Sequence, residues 1–220
     1  MCTFIKLSIF SKHLNTNNYK KESMKGKDLV YREMLYGAME KKTTRFTQLD
    51  LAKKLGVSLS TVNNALKPLS RMGAVDVGGM GFRLIDTEKA LLYWASARNL
   101  DRDIIYSTNV ATGVKRMEGS MPSGVIFTCY TGYRLKFKDV PADYSEVLVY
   151  ADEEALEEMK RRFPAKKGPP TLIVLKGDGR LKEISKDGVA PIAQIFVDLW
   201  NLREWHAKEF VNALLKRTGG

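Results

Sequence analysis

The chain has 220 residues, of which 44% are hydrophobic and 28% charged, fractions that are ordinary for a globular protein and do not favour disorder. This length allows two small domains or one domain with a sizeable core. No apolar run is long enough to cross a membrane, and the opening MCTFIKLSIF is a poor signal peptide. Cys2 and Cys129 form no disulfide or metal-binding pattern, so we expect a cytoplasmic protein.

The net charge of +11 is unevenly distributed along the chain. Residues 24–100 carry thirteen Lys and Arg against seven Asp and Glu, whereas residues 101–220 carry nineteen against seventeen. Residues 1–23 carry four lysines and one glutamate. A basic excess concentrated in one segment is typical of a surface that binds nucleic-acid phosphates.

The first 23 residues differ in character from the rest of the chain. They include the polar, turn-prone run NTNNYKKES, and Met24 would be a natural start for the domain beyond it. We therefore expect residues 1–23 to be a flexible arm or an upstream extension. From Lys27 to about Lys42, apolar side chains recur at helical spacing and predict the first helix of a three-helix core.

Residues 46–85 have the pattern of a helix-turn-helix followed by a β-hairpin. Thr47 and Ser58 are suitable N-caps for two helices, and Gly56 suits the turn between them. The first helix is predicted to bury a stripe of Leu49, Ala52 and Leu55, and the second to bury Val62, Ala65, Leu66 and Leu69. Pro68 removes a backbone donor, which predicts a kink or an early end near Lys67.

The other side of the second helix carries short polar groups suited to base edges and cations suited to phosphate. Apolar and polar residues alternate on both sides of GGMG (78–81), which predicts a β-hairpin wing. The wing contributes one further cation, Arg83. The candidate DNA-binding residues are Ser58, Ser60, Thr61, Asn63, Asn64, Lys67, Arg71 and Arg83. For Lys41, Lys42 and Arg45, phosphate contact and a solvated face are about equally favoured.

This segment resembles the winged helix-turn-helix of prokaryotic transcriptional regulators. The resemblance implies that the second helix enters the major groove of double-stranded DNA. The alternative is a winged helix that serves only protein contacts.

The rest of the chain predicts an α+β fold. Asp86 or Thr87 can cap a helix that reaches about Arg98, and the boundary is placed at residues 97–101. A winged helix-turn-helix domain is thus expected at residues 24–98, followed at residues 101–220 by a mixed α+β regulatory or partner-binding domain that ends in helices.

Several elements of this second domain are readable from the sequence. Strands are predicted at residues 104–106, 146–150 and 171–176. Asp152 can cap a helix with surface pairs Glu157–Arg161 and Glu158–Arg162. Residues 124–137 fit a helix or a strand, and GDGRLKEI (177–184) has the appearance of a hairpin turn that leads into a strand.

The C-terminal 25 or so residues predict two amphipathic helices interrupted near residues 200–202. We expect Trp200, Trp205 and Phe210 to be buried, with anchoring of a partner as the alternative. The segment DLWNLREWHAKEF, after a basic winged helix and an α+β domain, resembles the AbiEi-type antitoxin and regulator family. That resemblance implies repression of the protein's own operon and a nucleotidyltransferase-like toxin as partner.

No catalytic constellation is recognisable. The GDGR run at 177–180 lacks the Lys-Ser/Thr of a phosphate loop, and Gly119-Ser120 lacks the following aspartates of a nucleotidyltransferase. Asp143 and Glu146 come nearest to a nuclease motif, but Leu148 stands in place of its lysine. We expect His206 on a polar face and a buried, structural Cys129, and therefore no enzyme, cofactor or metal.

The sequence thus favours a sequence-specific DNA-binding transcriptional regulator, a repressor that binds as a homodimer because a second half-site extends a short recognition helix. The alternative is a nuclease-like DNA-processing enzyme with a winged-helix targeting domain.

Overall fold

The computed structural model describes residues 26–218, so the arm or extension predicted at residues 1–23 lies outside the described residues. The helices are α1 (Gly26–Lys41), α2 (Gln48–Leu55), α3 (Leu59–Arg71), α4 (Thr87–Ala97), α5 (Val114–Gly119), α6 (Cys129–Phe137), α7 (Glu153–Arg162), α8 (Gly179–Ile184), α9 (Ile192–Trp200) and α10 (Trp205–Thr218). The strands are β1 (Arg45–Phe46), β2 (Val75–Gly78), β3 (Gly81–Leu84), β4 (Ile104–Thr108), β5 (Ile126–Phe127), β6 (Val147–Ala151) and β7 (Leu172–Lys176).

Helices α1–α3 and a three-stranded sheet form a winged helix. The sheet has the order β1-β3-β2 and is antiparallel throughout. Tyr31 of α1 donates a hydrogen bond of 3.0 Å to the carbonyl of Ala65, which fixes α3 against α1. The rings of Phe46 and Phe82 stack across β1 and β3 with centroids 5.4 Å apart. The helix-turn-helix and the wing are therefore held by one core.

A four-stranded sheet of order β4-β7-β6-β5 organises the second half. Strands β6 and β7 are parallel, while β4 and β5 run antiparallel to their neighbours. Val147 and Val149 pack in a core with α7, whereas Leu148 and Tyr150 belong to the larger core with α6, α9 and α10. Burial of both faces explains why EVLVY reads as a nearly continuous apolar run.

The winged helix packs directly on the second half. Helices α1 and α4 both contact α9, and one apolar core includes Leu35 of α1 and Phe196 of α9. Glu40 of α1 accepts a hydrogen bond of 2.7 Å from the backbone N–H of Ile192, which opens α9. The domain boundary at residues 97–101 stays a prediction. These contacts fix the position of α1 relative to the second half of the chain.

A buried polar network lies at this junction. Arg98 at the end of α4 donates to Asp198 at 3.2 Å and to the Tyr150 hydroxyl at 2.8 Å. Thr128 donates to the same Asp198 carboxylate at 2.6 Å. Since a buried charge is costly unless it is paired, these bonds fix the relative positions of α4, β6 and α9.

Many of the predicted elements are confirmed. The three predicted strands correspond to β4, β6 and β7, and the terminal helices are separated at residues 201–204. Asp86 caps α4 and Asp152 caps α7, each accepting a backbone N–H at 2.9 Å. The ambiguous segment 124–137 divides into strand β5 and helix α6.

The predicted hairpin turn at residues 177–184 and the predicted early end of α3 are both wrong. The segment GDGRLKEI forms helix α8 instead of a hairpin turn, because Asp178 caps it by accepting the N–H of Leu181 at 2.9 Å. Helix α3 continues through Pro68 to Arg71, so it does not end early near Lys67. The fully buried Leu69 keeps this last turn in the core despite the missing donor.

Three side-chain predictions are also corrected. Leu49 is 53% exposed, because the buried side of α2 is formed by Leu51 and the predicted Ala52. Glu157 pairs with Lys160 rather than Arg161, while Glu158 binds both Arg161 and the predicted Arg162. Phe210 is buried as expected, but Trp200 and Trp205 are 43% and 76% exposed at the break between α9 and α10.

Candidate nucleic-acid interface

The turn between α2 and α3 is built by local hydrogen bonds. Thr47 caps α2 through the N–H of Asp50, and Ser58 caps α3 through the N–H of Thr61, both at 3.1 Å. Gly56 ends α2 with φ of 64°, a left-handed conformation that favours glycine. These contacts confirm the predicted helix-turn-helix.

Helix α3 presents a polar face opposite its buried side. With about 100° between successive residues, its exposed polar side chains fall within an arc of roughly 120°. They are Ser60, Asn63, Asn64, Lys67, Ser70 and Arg71. The buried Val62, Ala65, Leu66 and Leu69 occupy the opposite side. The structure thus brings together five of the eight predicted DNA-binding residues on one helix face.

Part of this face is ordered by its own contacts. Lys67 donates from Nζ to Asn64 Oδ1 at 3.0 Å, and Asn64 donates from Nδ2 to Ser60 Oγ at 3.4 Å. All three are exposed, so these weak bonds are readily exchanged for bonds to a ligand. Asn63 lies beside this row on the same face. Its amide has the donor and acceptor needed for bidentate contact with adenine.

Two of the predicted residues serve the turn itself. The hydroxyls of Ser58 and Thr61 lie 2.8 Å apart, and Thr61 is only partly exposed. The Ser58 side chain also accepts the Thr61 N–H. Both therefore lie at the start of α3, where the Ser58 hydroxyl caps the helix and the Thr61 hydroxyl bonds to the Ser58 hydroxyl.

The wing stands beside α2. Its tip, Gly79 and Met80, lies between the paired Gly78 and Gly81, and Met80 is 95% exposed. Gly81 has φ of 150°, and a Cβ at this position would lie 2.4 Å from the Phe46 carbonyl oxygen. A side chain is thus excluded at Gly81, which lets the wing approach β1 and the start of α2 closely.

Arg83 lies in strand β3, where Arg45 of β1 and Asp76 of β2 are its cross-strand neighbours. Arg45 and Arg83 also line a cleft of about 690 Å³ between the wing and α2. The sequence pattern did not decide between phosphate contact and a solvated face for Arg45, because a two-residue strand is too short to show an alternation. The signal that could have favoured phosphate contact is the position of Arg45 just before Thr47, the N-cap of α2.

The cations of this surface are not neutralised within the described structure. Among residues 26–218, Arg45, Lys67, Arg71 and Arg83 form no ion pair within 4 Å. By contrast, Lys54 of α2 pairs with Glu33 at 2.7 Å. Although burial raises the pKa of the Glu33 carboxyl, hydrogen bonds from Arg180 and Lys54 hold it below its usual value. Exposed, unpaired cations beside polar amides are suited to phosphate and base contacts.

The groups weighed for catalysis lie elsewhere, in the second half of the chain. Cys129 is fully buried, and burial raises the pKa of its thiol well above the ordinary value. His206 Nε2 lies 3.4 Å from Glu146, while Asp143 is exposed. Across residues 26–218, no group of three or more His, Cys, Asp or Glu is arranged to hold a metal ion. The expectation that the Cys129 thiol is buried is confirmed.

The comparisons with known proteins agree with this geometry for part of the chain. Residues 43–76, which include β1, α2, α3 and the start of β2, match the family model for winged helix-turn-helix DNA-binding. This part of the protein therefore has the fold of a winged helix-turn-helix and is similar in sequence to DNA-binding domains of that kind. Comparisons with curated proteins and with solved structures gave no match.

The matched region ends before the terminal helices, so the AbiEi-type resemblance stays a hypothesis. In the part of the chain that the structure covers, no helix combines the length and apolar character that a membrane span requires.

Proposed function

We propose that this protein is a sequence-specific transcriptional regulator that binds double-stranded DNA through α3 and the wing. The observation that carries the proposal is the polar face of α3 within the region that matches winged helix-turn-helix DNA-binding domains. On this face, exposed amides lie beside cations that have no ion-pair partner among the described residues.

Each group on the face has a role set by its chemistry. Asn63 and Asn64 read base edges in the major groove, since an amide can bind adenine bidentately. Lys67 and Arg71, nearer the C-terminal end of α3, bind phosphates and set the register. Arg83 binds the backbone or the minor groove from the wing.

Selection of binding sites from a random duplex pool tests this function. The full chain should enrich one sequence motif, and α3 should be required for that enrichment. A chain that retains no duplex even at low salt would contradict DNA binding, and retention without any enriched motif would contradict sequence specificity.

We also propose a finer role as a cytoplasmic, autoregulating repressor and antitoxin that binds DNA as a homodimer. The terminal resemblance supports a nucleotidyltransferase-like toxin as partner, and the exposed Trp200 and Trp205 are groups that can anchor one. The second half would then bind a partner without turnover of its own.

Co-expression with the product of the adjacent gene tests the antitoxin role. The proposal fails if this protein neither binds that product nor relieves the toxicity of that product.

A further inference from the structure

We propose that a small cavity at the carboxyl ends of the parallel strands β6 and β7 binds a zwitterion, namely an α-amino acid with a short side chain. The cavity has a volume of about 130 Å³ and is lined by residues of the second half of the chain. This inference goes beyond the proposed DNA-binding function and does not depend on it.

The chain leaves these two strands towards opposite faces of the sheet. After β6 it enters α7, where Met159 packs in one core with Val149. After β7 it enters α8, where Leu181 belongs to the core on the other face, together with Tyr150. The two connections diverge and leave a crevice between the strand ends. In open α/β sheets, a crevice of this kind is the place where ligands bind.

Part of the cavity wall is backbone that hydrogen bonds hold in place. The N–H of Gly177, just after β7, donates to the Ala151 carbonyl at the end of β6 at 2.9 Å. Asp178 also lines the cavity, but its carboxylate already accepts hydrogen bonds from Arg32 and from the N–H of Leu181. The wall is thus fixed by contacts within the protein, and the Asp178 charge is neutralised by Arg32.

An exposed ion pair lies at the edge of the cavity. Lys182 Nζ is 3.2 Å from Asp152 Oδ2, and the two side chains are 64% and 47% exposed. Both residues also line an adjoining cleft of about 620 Å³, which gives access from solvent. Because an exposed ion pair contributes little to stability, a ligand can replace it at small cost. The cavity therefore offers one ammonium and one carboxylate to a ligand.

These two charges select the class of ligand. A simple anion bound to Lys182 would also face the Asp152 carboxylate, and a simple cation bound to Asp152 would face the Lys182 ammonium. A zwitterion avoids both repulsions, since its carboxylate pairs with Lys182 and its ammonium with Asp152. The volume sets the size of the ligand. A cavity of about 150 Å³ holds benzene, so one of about 130 Å³ suits an amino acid of the size of alanine.

Isothermal titration calorimetry of the full chain with L-alanine tests the site. Two matched ligands are L-alaninamide, which lacks the carboxylate, and N-acetyl-L-alanine, which lacks the ammonium. Each should bind about tenfold more weakly than L-alanine, because each loses a hydrogen bond between charged groups. This comparison requires no change in the protein.

Two variants test the protein side of the same contacts. Lys182→Gln removes the ammonium, and Asp152→Asn removes the carboxylate while it keeps an N-cap for α7. Each should bind L-alanine about tenfold more weakly than the unmodified chain. The controls Lys208→Gln and Asp143→Asn, at exposed positions, should bind it as the unmodified chain does. Unchanged thermal unfolding shows that the variants are folded.

The absence of L-alanine binding at millimolar concentrations would overturn this inference. Equal affinities for L-alanine and its two analogues would also overturn it, as would equal affinities of Lys182→Gln and Lys208→Gln for L-alanine. None of these results bears on DNA binding, which the selection from a random duplex pool tests separately.

Discussion

Arg32 of α1 and Asp178 of α8 form a bidentate ion pair across the junction between the winged helix and the second half. Arg32 Nη1 and Nη2 donate to the two carboxylate oxygens of Asp178 at 2.8 and 2.6 Å. The neighbouring Glu33 accepts two hydrogen bonds from Arg180, at 2.7 and 2.6 Å. Because Glu33 also pairs with Lys54 of α2, a chain of ion pairs connects α8 with the helix-turn-helix.

Removal of the Asp178 charge should destabilise the protein. Asparagine also caps helices, so Asp178→Asn keeps a cap for α8 while it leaves the guanidinium of Arg32, 1% exposed, without its anion. We expect the free energy of unfolding to fall by about 3 kcal/mol. This is the lower end of the range for a buried ion pair that loses one partner, because Asp178 keeps some contact with water. Denaturant titration measures the loss. The control is Asp143→Asn, which changes an exposed carboxylate and should stay within about 0.5 kcal/mol of the unmodified chain. A loss no larger than the control's would show that the pair contributes nothing.

The same pair predicts a dependence of stability on acid. Burial raises the pKa of Asp178, but the hydrogen bonds and charge of Arg32 outweigh it and lower the pKa overall. A carboxyl with a lowered pKa in the folded state stabilises the protein above its unfolded pKa, near 4, and loses this contribution as the pH falls through the folded value. The stability difference between the unmodified chain and Asp178→Asn should therefore be constant from about pH 7 to 5 and shrink towards pH 3. A difference that stays constant down to about pH 3 would contradict the lowered pKa.

Arg45 and Arg83 should contribute equally to non-specific DNA binding, since they are cross-strand neighbours at the edge of one cleft. Each change to Gln should lower the slope of log K against log salt by about 0.9, as should Lys67→Gln on α3. Lys208→Gln on α10 is the matched control and should leave the slope unchanged. If Arg45→Gln behaves like the control while Arg83→Gln does not, Arg45 lies outside the interface.

The tryptophans should differ in their access to a quencher. Trp94 is fully buried, whereas Trp205 is 76% exposed and Trp200 43%. Acrylamide should quench a large part of the emission of the protein at low concentration, and Trp205→Phe should remove most of the accessible component. The Trp200→Phe variant should have a smaller effect. Emission that is blue-shifted and uniformly protected would contradict the exposed position of these two side chains.

The parts of the fold that were predictable from the sequence depend on local signals. Thr47 and Ser58 cap helices through residues three positions away, and Gly56 supplies a left-handed turn, so the helix-turn-helix is readable within one short window. Strand β6 is likewise readable because apolar side chains are buried on both its faces.

Several features that the sequence does not reveal depend on distant contacts. The cap that Asp178 provides for α8 is local, but its ion-pair partner Arg32 lies 146 positions away, and no local pattern reports that contact. The two residues of β1 are too few to show an alternation, so the pairing of Arg45 with Arg83 was not predictable. Of the candidate site, the face of α3 was predictable from helical spacing, whereas the bond between the Thr61 and Ser58 hydroxyls has no signal in the sequence pattern.

Sequence reading by α3 is tested most directly by the replacement of Asn63 with alanine. Affinity is measured for the motif selected from the random pool and for a random duplex of equal length, with Asn212→Ala on α10 as the matched control. A lost bidentate contact to adenine costs about 1–3 kcal/mol, or roughly five- to 150-fold in affinity. We predict this loss for Asn63→Ala on the selected motif, with affinity for the random duplex unchanged and no effect of Asn212→Ala. Equal losses on both duplexes, or full affinity for the motif, would contradict recognition of the DNA sequence through this face.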